Sequence, residues 1–193
     1  MTKGELRARM GRVLASLDPV DLDRRSLQAA LRFQATQAWQ DAAVVLCFLS
    51  MPGELNSSFL IESAHSSGRR VAVPRIEGDV IRFLFLPYDA GELPRDKWGI
   101  PVPCSWWEPL QLRGRAGVLV AAPGLAFDRQ GNRLGRGKGY YDMFLAEARG
   151  VLGNELVALG ICLSDQLVES VPCTERDQRL NGVVTDQETI LVS

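Results

Sequence analysis

The chain has 193 residues, a length that predicts one domain over residues 1–193, able to bury a core without disulfide or metal staples. Apolar residues make up 46% and charged residues 23%, which excludes a disordered, collagen-like or coiled-coil chain. With 22 basic and 23 acidic residues the net charge is −1, so bulk electrostatics draws neither nucleic acid nor an anionic membrane, and any anion site must come from a local cluster.

Thr2 and Glu5 form a T-x-x-E capping box. Leu6, Met10, Val13, Leu14 and Leu17 then recur with helical spacing. Lys3 and Arg7 share one face of the start of this helix. Cations there oppose the helix dipole, so they either face an anion or form a solvated basic face. Asp18-Pro19 restarts a helix as N-cap and N1, with Leu27, Leu31, Ala35 and Ala38 expected as its buried stripe. Residues 42–49 read as a strand buried on both faces. After Pro52-Gly53 come a helix near residues 56–66 and strands at 71–74 and 80–86. Residues 87–117, with five prolines and three tryptophans, lack periodicity and predict a functional loop. A strand at 118–122 leads into a glycine-rich loop. A helix at 140–149, a strand at 156–162 and a short strand at 183–185 follow. Strands alternating with helices predict an α/β layered fold around a largely parallel sheet.

Cys47, Cys104, Cys162 and Cys173 show no C-x-x-C spacing and are expected to be reduced, buried thiols. His65 is the only histidine, at a helix end, so neither a Cys/His zinc site nor a Ser-His-Asp triad is indicated. The first residues hold no apolar segment of the secretory type, and the longest apolar run is eight residues, against about 20 for a membrane span. A cytoplasmic protein without a membrane partner is expected.

The informative segment is Pro123-Gly124-Leu125-Ala126-Phe127-Asp128 followed by Gly131-Asn132-Arg133-Leu134-Gly135-Arg136-Gly137-Lys138-Gly139-Tyr140-Tyr141-Asp142. Residues 129–138 hold four positive charges and no negative one. Glycines let backbone N–H groups approach a ligand, and a helix N-terminus adds free donors and partial positive charge. A polyphosphate cradle is the expected chemistry. The spacing is neither Walker A nor G-x-G-x-x-G. A flexible loop with solvated charges and an RNA-contacting loop remain as alternatives at this level.

The segment also resembles the hallmark of the 5-formyltetrahydrofolate cyclo-ligase (5,10-methenyltetrahydrofolate synthetase) family. Lys3-x-x-x-Arg7, Leu49-Ser50-Met51-Pro52-Gly53-Glu54, Lys97-Trp98-Gly99-Ile100-Pro101 and Asp177 match further family segments in the family's order. The resemblance implies a three-layer α/β/α fold with a mostly parallel mixed sheet and an ATP- and Mg²⁺-dependent cyclisation of 5-formyltetrahydrofolate; a monomer with no nucleic-acid partner is expected. It implies catalytic roles for Arg136, Lys138 and Tyr140. ATP contacts are implied for Lys3, Arg7, Arg133, Leu134, Gly135, Arg136, Gly137, Lys138, Gly139, Tyr140 and Tyr141. Folate contacts are implied for Leu49, Glu54, Trp98, Arg136, Gly137, Lys138, Gly139 and Tyr140, and Mg²⁺ ligation for Asp142 and Asp177. Three positions depart from the family's usual residues: Asn181 for aspartate, Arg176 for histidine and Met143 for a basic residue. They put the metal half of the site in question. Trp106 and Trp107 have no family counterpart. The alternative is a member that binds folate or nucleotide without turnover.

Overall fold

The computed structural model describes residues 1–96 and 99–192. Its centre is a seven-stranded sheet of β1 (Val44–Leu46), β2 (Arg70–Glu77), β3 (Val80–Phe85), β4 (Val118–Ala122), β7 (Leu156–Ile161), β8 (Gly182–Val184) and β9 (Thr189–Leu191), in the order β3-β2-β1-β4-β7-β8-β9. The five inner strands are parallel, and β3 and β9 are antiparallel edges. A two-stranded hairpin, β5 (Ala126–Phe127) with β6 (Arg133–Leu134), stands apart from it. The helices are α1 (Lys3–Ala15), α2 (Pro19–Gln34), α3 (Gln37–Asp41), α4 (Ser58–Ser66) and α5 (Tyr140–Leu152).

Strand periodicity of two divides the core between the sheet faces. Leu119 and Ala121 of β4, with Val45, Val71 and Val73, pack against Ala30 and Phe33 of α2 and Leu60 and Ala64 of α4. Val118, Val120 and Ala122, with Val44, Leu46 and Ala72, pack against Phe144, Leu145 and Ala148 of α5. Helix α1 uses Leu6, Met10 and Leu14 to grip the hairpin region at Leu125, Ala126 and Leu134, and its capping box forms. The basic face of α1 is thereby brought to the glycine-rich loop.

Helix α2 buries a different stripe from the one its leucines suggest. Ser26, Ala29, Ala30 and Phe33 face inward, while Leu27 and Leu31 are 42% and 56% exposed; Ala35 is exposed and Ala38 only partly buried. The small residues allow close approach to α4, and Ser26 Oγ donates to the Leu22 carbonyl and accepts from the Asn56 N–H. Two apolar stripes compete on this helix, and tertiary packing selects the smaller one. Residues 87–117 contain no helix or extended strand among the described residues. Part of the segment runs along the β3 edge, through hydrogen bonds from Phe85 N–H to the Glu108 carbonyl and from Leu110 N–H to the Phe83 carbonyl, which covers an otherwise open edge. His65 meets the Leu86 carbonyl at 3.2 Å and the edge of Tyr88, a packing role. All four cysteines are free thiols. Cys47 and Cys162 are buried, but Cys173 is exposed, because it lies in the irregular segment after Val171. Among the described residues no helix is long and apolar enough to cross a membrane.

Candidate active site

From β1 the chain passes to β2 on one side, while β4 lies on the other. Strand order therefore reverses at β1/β4, where open α/β sheets leave a crevice beyond the strands' carboxyl ends. The segment after β1 supplies Phe48, Leu49, Met51 and Glu54, and the segment after β4 supplies Pro123 and Gly124. Between them opens a cleft of about 420 Å³. Lys3, Arg7, Leu49, Glu54, Arg133, Leu134, Gly135, Arg136, Gly137, Lys138, Gly139, Tyr140, Tyr141, Asp142 and Asp177 all line it. Trp98 lies outside the described residues. A groove of similar volume at the strands' amino ends is lined by Asp41, Gly117 and Glu155 among others, and among the described residues no Lys or Arg lines it.

The hairpin sets the start of the glycine-rich loop. Buried Asp128 accepts from the N–H groups of Gln130, Asn132 and Val171 and from the Asn132 amide. This closes the turn that feeds Arg133 into the wall. Arg133 is 4% exposed; it donates to the Pro123 carbonyl at 3.2 Å and to Asp142 Oδ1 at 3.0 Å. Gly137 and Gly139 have φ of +108° and +71°, which an L side chain rarely adopts. Gly139 is the N-cap of α5, and no side chain caps that helix. Its first-turn N–H donors and positive dipole end are available to an anion.

Helix α1 adds the remaining cations. Arg7 Nε donates to the Gly135 carbonyl at 3.0 Å, and Lys3 Nζ donates to both oxygens of Asp177 at 2.8 and 2.5 Å. Arg136 donates through Nε and Nη2 to Glu54 Oε1 at 3.1 and 2.5 Å, while Glu54 Oε2 accepts from the Met51 N–H. Lys138 is exposed and has no hydrogen-bond or ion-pair partner among the described residues.

Asp142 Oδ1 also accepts from the Gln178 N–H at 3.1 Å, so Asp142 and Asp177 belong to one wall. Burial pushes Asp177 up, but the Lys3 bonds and two from Thr174 outweigh it and hold the carboxyl below its usual range. Among the described residues no cluster of three or more His, Cys, Asp or Glu forms. A second wall is apolar: Pro74, Ile76, Ile81, Ile100 and Pro101. Ile76 and Ile81 are cross-strand partners in the β2–β3 pair. This wall is missing from the sequence reading. Its signal was present in the isoleucines facing each other across the Gly78 turn, but strand pairing has to be known to use it.

The 5-formyltetrahydrofolate cyclo-ligase family model matches residues 1–186. The chain belongs to that family. Full-length relatives include the probable 5-formyltetrahydrofolate cyclo-ligase of Schizosaccharomyces pombe, 29% identical over 98% of both chains. The 5-formyltetrahydrofolate cyclo-ligase of Escherichia coli K12 is 33% identical, over 88% of this chain and 92% of its own. The fold matches the NMR structure of Aquifex aeolicus 5,10-methenyltetrahydrofolate synthetase with a TM-score of 0.80 at 23% identity, over 100% of this chain and 93% of that one. The Mycoplasma pneumoniae synthetase superposes with a TM-score of 0.73 at 18% identity, over 96% and 99%.

Measured against the cyclo-ligase family pattern, the three departures lie away from the cleft lining. Asn181 extends the sheet: its N–H donates to the Ala158 carbonyl, and its side-chain oxygen accepts from the Ala158 N–H. Met143 and Arg176 are exposed. Trp107 packs on the core and Trp106 is solvent-exposed; nothing in the structure gives either a role in the cleft.

Proposed function

We propose that this chain converts 5-formyltetrahydrofolate to 5,10-methenyltetrahydrofolate, with ATP hydrolysed to ADP and phosphate. The observation that carries the reading is the convergence of five cationic side chains and an uncapped helix N-terminus in one cleft with an apolar lining and the Glu54 carboxylate. A polyphosphate suits the cations and the helix N-terminus, and a flat heterocycle with N–H donors suits the apolar lining and the carboxylate.

A formamide is a poor electrophile and its oxygen a poor leaving group. The formyl oxygen attacks the γ-phosphorus of ATP, the bond from that phosphorus to the β,γ-bridging oxygen breaks, and ADP leaves. The product is an N5-iminium phosphate. N10 then attacks the formyl carbon, loses its proton, and the C–O bond breaks to release phosphate. Such a transfer needs charge neutralisation and alignment more than a protein nucleophile. Lys3, Arg7, Arg136 and Lys138 surround the phosphate positions, and Tyr140 borders the reacting region. Arg133 acts through Asp142 and the Pro123 carbonyl, since its guanidinium is built into the wall. Asp142 and Asp177 are hard oxygen donors on one wall, and with phosphate oxygens and water they suit Mg²⁺, which would add charge neutralisation at the phosphates.

The test is absorbance detection of the methenyl product from 5-formyltetrahydrofolate, with and without ATP and with a chelator added. Product only with ATP, abolished by the chelator, is expected. Folate and ATP binding without product would instead establish a non-catalytic member of the family.

A further inference from the structure

We propose that the Tyr141 hydroxyl is a specificity-determining group of the folate half of the cleft, donating to the C4 carbonyl oxygen of the pterin while Glu54 accepts from the ring's N–H groups. The inference rests on the folate reading above and assigns Tyr141 away from ATP. Tyr141 lines the cleft from the first turn of α5. Its ring is fixed by Phe83, edge-on at 6.2 Å, and by the Arg133 guanidinium, 5.5 Å from the ring centroid. The hydroxyl at the end of this clamped ring is buried and has no hydrogen-bond partner among the described residues.

A buried hydroxyl left unpaired is costly, and a phenylalanine would fill the same space without that cost. The charged groups around it do not pair with it: Glu54 bonds Arg136 and the Met51 N–H, with lone pairs left for a ligand, and Arg133 is a donor only. A phenol is protonated at neutral pH, so the hydroxyl is a donor. A fixed donor hydroxyl and an acceptor carboxylate in one cleft complement the edge of a cyclic amide, where N–H donors flank a carbonyl acceptor. The pterin of folate presents that edge. The formyl oxygen is the rival acceptor, but it must meet phosphate at the exposed loop that carries Lys138, whereas the Tyr141 hydroxyl is buried.

Calorimetric titration of 5-formyltetrahydrofolate into wild type and Tyr141→Phe tests this, alongside titration of a 4-amino pteridine analogue, which lacks the carbonyl acceptor. Tyr141→Phe should weaken 5-formyltetrahydrofolate binding about tenfold. ATP affinity should stay within twofold, and Tm should hold or rise because an unpaired polar group has gone. The two proteins should bind the 4-amino analogue equally. Equal affinity for 5-formyltetrahydrofolate, or the same loss for both ligands, would overturn the inference. A loss confined to ATP, or a fall in Tm with folate affinity intact, would also overturn it. A wild type that binds no 5-formyltetrahydrofolate would overturn the functional reading itself, a result distinct from all of these.

Discussion

Lys138 stands apart from the other cations of the cleft, since Lys3, Arg133 and Arg136 each pair with a carboxylate and Arg7 with a backbone carbonyl. An unpaired ammonium on a glycine-flanked loop loses no ion pair when it meets a phosphate, so its charge is fully available in the transition state. Lys138→Ala should lower kcat/KM for ATP by the equivalent of about 2–4 kcal/mol, with both KM and kcat affected. Steady-state kinetics within twofold of wild type would remove Lys138 from the mechanism. Glu54 is the opposite case, a carboxylate already held by Arg136 and the Met51 N–H. Glu54→Gln places an amide donor against the pterin N–H groups, at about 1–3 kcal/mol for a mispaired group. Folate binding should weaken while ATP binding does not, because Arg136 is released rather than lost. Parallel titrations of the two ligands decide this, and a fall in ATP affinity alone would move Glu54 to the nucleotide half.

Loop and helix act together at α5. Gly139, at φ +71°, has open space where a Cβ would go, so Gly139→Ala meets a backbone penalty and no steric clash. The expected cost is about 1–2 kcal/mol of stability, measured by urea unfolding. ATP KM should rise as well, because the first-turn N–H groups shift. The elements with strong local signals are legible in the sequence: the T-x-x-E box of α1, the Asp18-Pro19 start of α2, and the apolar runs of β1 and β4. The glycine-rich loop is legible because alternating glycine and cation has few other uses. The β5–β6 hairpin is not, since its strands are two residues each and Asp128 holds the turn through contacts that sequence spacing does not show. The inward face of α2 is misread for a related reason, as small residues carry no hydrophobic signal of their own. The apolar wall of the cleft depends on β3 pairing back onto β2, which no single segment reveals.

Across the whole molecule, α2 is tied to the carboxyl ends of β7 and β8 by a nearly buried ion-pair cluster. Arg25 Nε donates to Asp186 Oδ2 at 2.7 Å, and its Nη2 reaches Ser164 Oγ and Asp165. The Ser164 N–H donates to Asp186 Oδ1 at 2.6 Å. Burial pushes Asp186 up, but the bonds from Arg25 and Ser164, with the Arg25 charge, bring its pKa below the ordinary value. Asp177 is lowered in the same sense. A depressed folded pKa stabilises fully above the unfolded value, near 4, and that stability is lost as pH falls through the folded value. Urea unfolding should therefore show stability declining below about pH 4. Asp186→Asn should flatten that decline and cost about 2–3 kcal/mol at pH 7, less than stranding a buried charge outright because Asp165 still meets Arg25. An unchanged acid limb would separate Asp186 from the pH dependence. The α1 grip on the hairpin and the sheet reversal at β1/β4 set the cleft, and in the proposed reaction a phosphoryl group passes within it onto the formyl oxygen. The most direct measurement uses 5-formyltetrahydrofolate carrying ¹⁸O in its formyl group, with ATP, and mass analysis of the released phosphate. The label should appear in phosphate mole for mole with methenyl product. Unlabelled phosphate, with the ¹⁸O released to water, would contradict it.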